Sequence, residues 1–327
     1  MTPATDITGS VPVVGRFAPS PTGSLHLGSL VAAVGSYVMA RRVGGKWLLR
    51  MEDLDAPRVV PGIADDMLRT LEAFGFRWDG PVVYQSRRTE AYRSAIERLL
   101  GSGLAYACGC TRSEIARISS APHGAELVYP GTCRDGLPEG KTERALRVKV
   151  YDELIEFNDL FAGHYSQSLS SSCGDFVIQR ADGPFAYHLA VVVDDAESGI
   201  NQVVRGADLF SSTPRQIYLQ KLLGYPTPVY GHLPLVVNPD GTKLSKRENA
   251  VSLADRDLER EGWRLLFAAL RFLGQSPPPD LNGAPGSEIL AWAVKFFDPA
   301  RIPLTSAPLP LPWQADTLPC RRLSETS

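Results

Sequence analysis

The chain has 327 residues, 44% of them hydrophobic and 21% charged, enough for a sizeable core and two domains. Its 34 basic and 36 acidic residues leave a formal net charge of −2, so any contact with nucleic acid has to come from local basic patches rather than from the average field. Residues 1–12 lack the basic start and apolar run of a secretion signal, and no stretch approaches membrane-spanning length. Five cysteines in a chain expected in the cytoplasm then argue against a disulfide framework, and monomer is the default state.

Residues 13–18 are apolar enough for a buried strand. Pro19, Pro21 and Gly23 force a turn, and Leu27, Leu30, Val31, Val34 and Val38 then repeat at helical spacing. The N-terminus of that helix suits a polyanion, with His26 as an added donor and Gly28 as a place where a purine ring can lie against bare backbone. Ile63, Met67, Leu68, Leu71 and Phe74 predict a second helix and Val82-Val83-Tyr84 a strand. Tyr92, Ala95, Ile96 and Leu99 predict a helix over 89–100 that ends at Gly101. Residues 101–179 interrupt this alternation with polar and cysteine-bearing sequence, serine-rich at 166–172. The Cys108-Gly109-Cys110 turn followed by Cys133 suits tetrahedral zinc but is one ligand short, while Cys173 and Cys320 read as structural. The apolar run 189–193 predicts a buried strand of a parallel sheet. Ser212, Pro214 and Gly224 supply the N-cap, early proline and closing glycine of a helix. Strands alternating with helices predict an α/β, doubly wound parallel sheet. Residues 241–247 form a small loop with three cations. Helical segments follow near 263–273 and 288–297, and ten of the 26 prolines fall from Gln275 onward, so the end beyond Arg301 reads as irregular.

Two segments in this order, His26-Leu27-Gly28-Ser29 and Lys243-Leu244-Ser245-Lys246-Arg247, resemble the HIGH and KMSKS signatures of class I aminoacyl-tRNA synthetases. In that chemistry an amino-acid carboxylate attacks the α-phosphate of ATP and pyrophosphate leaves, so donors fixed where charge develops contribute most. The resemblance implies that His26 contacts the phosphates from one side, with Gly28 beside the nucleotide, and that Lys243 and Lys246 close from the other. Mg2+ is expected with ATP, although no acidic cluster marks a dedicated site. Arg16-Phe17-Ala18-Pro19-Ser20-Pro21-Thr22-Gly23 resembles the opening of glutamyl-tRNA synthetases in particular, and the resemblance continues through residues 47–55, 187–195 and 204–208. L-glutamate has two carboxylates and one ammonium to satisfy. The resemblance puts Arg16 and Arg205 on the carboxylates, Glu52 on the ammonium, Ser20 and Tyr187 as neutral partners, and Ala18 in the same pocket. Asp53 and Asp55 read as turn caps.

The same resemblance divides the chain into a Rossmann-like catalytic domain at 13–100 and 180–247, an inserted acceptor-type domain with a zinc site at 101–179, a helical region at 248–300 and an irregular tail at 301–327. The 80 residues after Arg247 leave no room for an anticodon-binding domain. With that truncation the chain resembles, over 15–303, the glutamyl-queuosine tRNA(Asp) synthetase family. This implies activation of glutamate with ATP and its transfer to the queuosine base of tRNA(Asp), whose cyclopentene diol resembles a ribose edge. It also implies one structural Zn2+ per chain on Cys108, Cys110, Cys133 and Tyr129, with His123 as the alternative fourth ligand. Two further readings are a minimal glutamyl-tRNA synthetase charging the tRNA 3′ end and a catalytically silent tRNA-binding module. The missing domain weighs against the first, and His26, Lys243 and Lys246 against the second.

Overall fold

The apolar opening forms β1 (Val14–Phe17), and past the proline turn the chain enters α1 (Leu27–Arg41). The structure is a computed structural model that describes residues 11–118, 127–180, 183–238, 252–253 and 256–308. β2 (Lys46–Met51) pairs in parallel with β1, setting Arg16 opposite Leu48. After α2 (Ile63–Ala73), β3 (Val83–Tyr84) pairs in parallel with β2. Trp47 of β2 anchors this half. It stacks on Phe17 and Phe76 at centroid distances of 6.2 and 5.6 Å, meets Tyr37 edge-on, and donates its indole N–H to Ser36 Oγ at 3.1 Å.

Past α3 (Thr89–Gly101) the pairing changes from parallel to antiparallel. β4 (Ala105–Cys108), α4 (Arg112–Ile118), β5 (Ala145–Val148), β6 (Leu154–Asp159), β7 (Gly163–Ser168), α5 (Leu169–Ser172) and β8 (Val177–Gln179) follow in order. β4, β5 and β8 make one antiparallel sheet, and β6 and β7 a separate hairpin.

Parallel pairing resumes with α6 (Tyr187–Glu197), β9 (Gln202–Gly206), α7 (Thr213–Leu223) and β10 (Val229–Leu233), β10 lying beside β9. Just ahead of β9, the Asn201 N–H donates to the Val14 carbonyl at 3.1 Å and its side-chain oxygen accepts the Val14 N–H at 2.8 Å. These bonds set β9 alongside β1. Strands therefore run outward in both directions from the β1–β9 junction, and the crevice beyond the carboxyl ends of such a junction is where parallel sheets collect ligands. β11 (Val236–Val237), α8 (Leu258–Phe272), α9 (Gly286–Phe296) and β12 (Ala307–Pro308) complete the order, with β11 and β12 paired. α8 and α9 add Leu266, Phe267, Leu270 and Ile289 to the core around α1 and β2. Among the described residues no helix is long and apolar enough to cross a membrane.

Two sequence expectations are corrected. Residues 189–193 belong to helix α6, not to a strand. The helix is enclosed by protein, so Leu189, Ala190, Val191, Val192, Val193, Asp194 and Asp195 are all buried, and a helix apolar all round cannot be told from a buried strand by periodicity. Ser212 makes no side-chain cap for α7, because a 3-10 turn over Ala207–Ser212 feeds straight into the helix. Gly224 does close α7, at a left-handed φ of 66°. Cys173 is buried, and Cys320 lies outside the described residues.

Candidate active site

A cleft of about 400 Å3 opens at the carboxyl ends of β1 and β9 and the N-terminus of α1. It is lined by Arg16, Ala18, Ser20, His26, Gly28, Glu52, Tyr187 and Arg205, all of which sequence motifs single out. Lys243 and Lys246 lie outside the described residues, as does His123. A smaller cavity of about 150 Å3 shares Ser20, Glu52 and Tyr187 with this cleft and is flanked by Arg58, Arg180 and Phe185.

His26 is the N-cap of α1. Its Nδ1 accepts the Ser29 N–H at 3.3 Å, so the neutral ring carries its proton on Nε2. A Cβ on Gly28 would stand 3.0 Å from His26 Cε1, so any side chain there would crowd the imidazole and push it by a few tenths of an ångström. The free amides and positive end of α1 open into the cleft beside it.

The charges of the cleft fall into two groups. Arg50 is consumed by protein: Nη1 donates to Asp195 at 2.7 Å, Nη2 to Glu52 at 3.4 Å, and Nε stands 3.8 Å from Asp194, so its pKa rises despite its burial. Asp194 is further held by Gln85, Tyr92 and Arg88. Arg16 and Arg205 are different. Arg16 is 4% exposed, its ion-pair partner among the described residues is Asp195 at 3.5 Å, and its buried Nε has no hydrogen-bond partner among them. Burial lowers its pKa, and Arg50 and Arg205 add to the effect. Arg205 is tethered through Nε and Nη2, while Nη1 is buried with no partner among the described residues.

Burial raises the Glu52 carboxyl against the pull of Arg50 and Arg16. Burial would raise Asp195 as well, but Arg50 and Arg16 outweigh it and hold that carboxyl below its ordinary range. The Tyr187 phenol is pushed up to about 12, first by burial and then by Glu52, so it stays a donor. Asp53 and Asp55 serve turns: Asp53 accepts the Ser86 N–H and hydroxyl, and Asp55 pairs with Arg58. Arg50, Asp194 and Asp195 lie in the resembling segments 47–55 and 187–195 without being singled out there, and Thr213, His232 and Asp159 surround the cleft without a motif to mark them. A pair of buried aspartates ending α6 opposite an arginine on β2 was the one available signal.

Cys108, Cys110 and Cys133 bring their sulfurs within 4.8 Å of one another, with Cys110 and Cys133 at 3.6 Å. Tyr129 points its hydroxyl into the same space, 3.3 Å from the Cys108 sulfur and 3.6 Å from that of Cys110. Tetrahedral zinc with ordinary Zn–S and Zn–O bonds needs S···S edges of about 3.8 Å and S···O edges of about 3.5 Å, so the donor set fits. Arg147 stacks 3.9 Å over the Tyr129 ring and donates to the Cys108 sulfur, which favours thiolate there.

Residues 12–283 match the family "tRNA synthetases class I (E and Q), catalytic domain". The glutamyl-Q tRNA(Asp) synthetase of Geobacter sulfurreducens is 64% identical over 304 residues, 92% of this chain and 97% of that one. That of Dechloromonas aromatica is 56% identical over 298 residues, 90% and 97% of the two chains. The crystal structure of the glutamate-tRNA synthetase from Elizabethkingia anophelis superposes with a TM-score of 0.74 at 28% identity, covering 92% of this chain and 68% of that one. A glutamate tRNA ligase from Elizabethkingia meningosepticum, in complex with its amino acid, gives 0.72 at 28% identity, covering 91% and 67%.

Proposed function

The chain belongs to the class I tRNA synthetases (E and Q), among the glutamyl-Q tRNA(Asp) synthetases, and on this footing we propose that it activates L-glutamate with ATP and transfers the glutamyl group to queuosine in tRNA(Asp). One observation carries the reading of the amino acid: two buried guanidinia line the cleft, Arg16 with one carboxylate that it shares and Arg205 with none among the described residues, while Arg50, outside the lining, is neutralised by Glu52, Asp194 and Asp195. A ligand with two carboxylates matches Arg16 and Arg205. Glu52, in the same lining, suits its ammonium, with Tyr187, Ser20 and Ala18 completing the pocket.

The carboxylate of bound glutamate attacks the α-phosphorus of ATP, the P–O bond to pyrophosphate breaks, and the phosphates rest on the α1 N-terminus with the His26 Nε2–H donating to them. Gly28 leaves that imidazole uncrowded, and Lys243 and Lys246 neutralise the leaving pyrophosphate, with Mg2+ travelling on the ATP. A hydroxyl of the queuosine diol then attacks the acyl carbon and AMP leaves with the electron pair. The smaller cavity beside Ser20, Glu52 and Tyr187 offers the acceptor a route on the side away from His26. Zinc on Cys108, Cys110, Cys133 and Tyr129 would serve structure by tying the β4 turn to the 129–133 segment.

The test has two parts. Glutamate-dependent pyrophosphate exchange reports activation, and its absence would favour a silent tRNA-binding module. Labelled glutamate should reach queuosine-containing tRNA(Asp) but neither queuosine-free tRNA(Asp) nor tRNA(Glu). Charging of tRNA(Glu) would instead make the chain a minimal glutamyl-tRNA synthetase.

A further inference from the structure

Arg205 reaches the cleft through a chain of buried polar groups. Its Nε–H donates to His232 Nε2 at 3.2 Å, and its Nη2 donates to Thr213 Oγ1 at 2.9 Å and to the Leu209 carbonyl at 3.4 Å. On the far side of the ring, His232 Nδ1 meets Asp159 Oδ2 at 2.6 Å. Asp159 is fixed in turn, because its Oδ1 accepts the amides of Phe161, Ala162 and His232 at 3.0, 3.0 and 3.2 Å. The ring itself is clamped: Tyr230 stacks on it within 7° of parallel and Phe210 meets it edge-on at 4.9 Å. The His232 and Asp159 side chains are 1% and 0% exposed.

We propose that His232 and Asp159 are positioning residues for the glutamate carboxylate: Asp159 fixes the imidazole as the Nδ1–H tautomer, and the remaining Nε2 lone pair aims Arg205 at the substrate without neutralising it. This rests on the reading of Arg205 as a glutamate ligand. A guanidinium can be held in place by a carboxylate or by neutral acceptors, with opposite consequences. Arg50 shows the first case, since Asp195 and Glu52 both orient it and cancel its charge. Arg205 shows the second, because all its acceptors (an imidazole nitrogen, a hydroxyl and a carbonyl) are uncharged, and its Nη1 is left over. The aspartate stands one ring away, near enough to dictate the tautomer and too far to compete with the ligand. Burial and the neighbouring Arg205 both disfavour a second proton on His232, which keeps Nε2 an acceptor. Asp159 ends β6, the first strand of the antiparallel hairpin, so the last link of this support comes from outside the parallel strands while His232 sits on β10, opposite Arg205.

Asp159→Asn is the discriminating variant. The amide can keep Oδ1 on the Phe161 and Ala162 turn but presents N–H to His232 Nδ1. The ring proton then moves to Nε2, where it opposes the Arg205 N–H. His232→Leu removes the acceptor outright, His232→Gln restores a carbonyl for Arg205, and Thr213→Val removes the second tether. Pyrophosphate exchange on each variant separates the KM for glutamate from the KM for ATP. Asp159→Asn and His232→Leu should each raise the glutamate KM tenfold or more with the ATP KM within twofold, and His232→Gln should recover a large part of the loss. Equal changes in both KM values, or a glutamate KM within twofold of wild type in Asp159→Asn, would overturn the proposal. If His232→Leu does not fold, Thr213→Val carries the test and should raise the glutamate KM selectively; an unchanged value would also overturn it. No glutamate-dependent exchange by the wild-type chain would refute the glutamate reading itself, a result distinct from any of these.

Discussion

Arg16→Met should separate stability from activity. The native residue is 4% exposed, its buried Nε without a hydrogen-bond partner among the described residues and 3.5 Å from an aspartate that already serves Arg50 at 2.7 Å. Burial and two like charges disfavour its ionised form. Removing it leaves no orphaned carboxylate, since Asp195 keeps Arg50, and methionine fills a similar volume. Exchanging buried charge for apolar groups of the same size is often neutral or stabilising by about 1–4 kcal/mol, so urea unfolding should show a midpoint equal to or above wild type. The same change removes a charged contact to substrate worth roughly 2–4 kcal/mol. At about 1.4 kcal/mol per decade, kcat/KM for glutamate in pyrophosphate exchange should fall by about 30-fold to about 700-fold. A variant destabilised by more than about 1 kcal/mol, or one within threefold of wild-type kcat/KM, would refute the reasoning.

Glu52→Gln should raise thermal stability near neutral pH, because burial lifts that carboxyl and folding opposes its charge; the advantage should vanish below about pH 4, where the native glutamic acid is protonated folded or unfolded. Asp159 and Asp195 have the opposite sign: their folded pKa values are depressed, so their stabilisation is present above about pH 4 and lost as pH falls through the folded values, and Asp195→Asn should flatten acid unfolding there. Replacing Cys108 and Cys110 together with serine should abolish bound zinc by elemental analysis, and unchanged zinc would remove these ligands. Lys246→Ala should lower kcat for exchange more than it raises the glutamate KM, and a pure binding defect would show that its role is different.

How much of this was legible in the chain follows from how local each constraint is. His26 and Gly28 are two residues apart and act on each other within one helix cap, so their meaning survives in a four-residue string. Arg16 and Arg205 stand at the ends of strands in recognisable segments, which makes them candidate ligands but does not show how they are held. The support is non-local: Arg50 and Asp195 are 145 residues apart, Asp159 and His232 73. A lone histidine on an apolar strand has the pattern of an ordinary core residue, and only the fold shows both its nitrogens in use. Helix α6 has the sequence pattern of a buried strand for a related reason, since burial on all sides erases the polar stripe that marks an amphipathic helix.

The two classes of arginine also account for the choice of glutamate over its amide. In the proposed pocket, each carboxylate of the substrate meets a buried guanidinium: Arg205, whose protein partners are all uncharged, and Arg16, whose counterion Asp195, 3.5 Å away, is already engaged by Arg50. Glutamine would satisfy one and leave the other buried beside a neutral group. The burial that makes Arg16 and Arg205 costly to the empty enzyme is then returned only by a ligand with both charges, so discrimination comes from the fold's own desolvation penalty rather than from steric exclusion of an isosteric amide. A carboxylate on Arg205 in place of His232 would relieve that penalty in the free protein and weaken the discrimination with it.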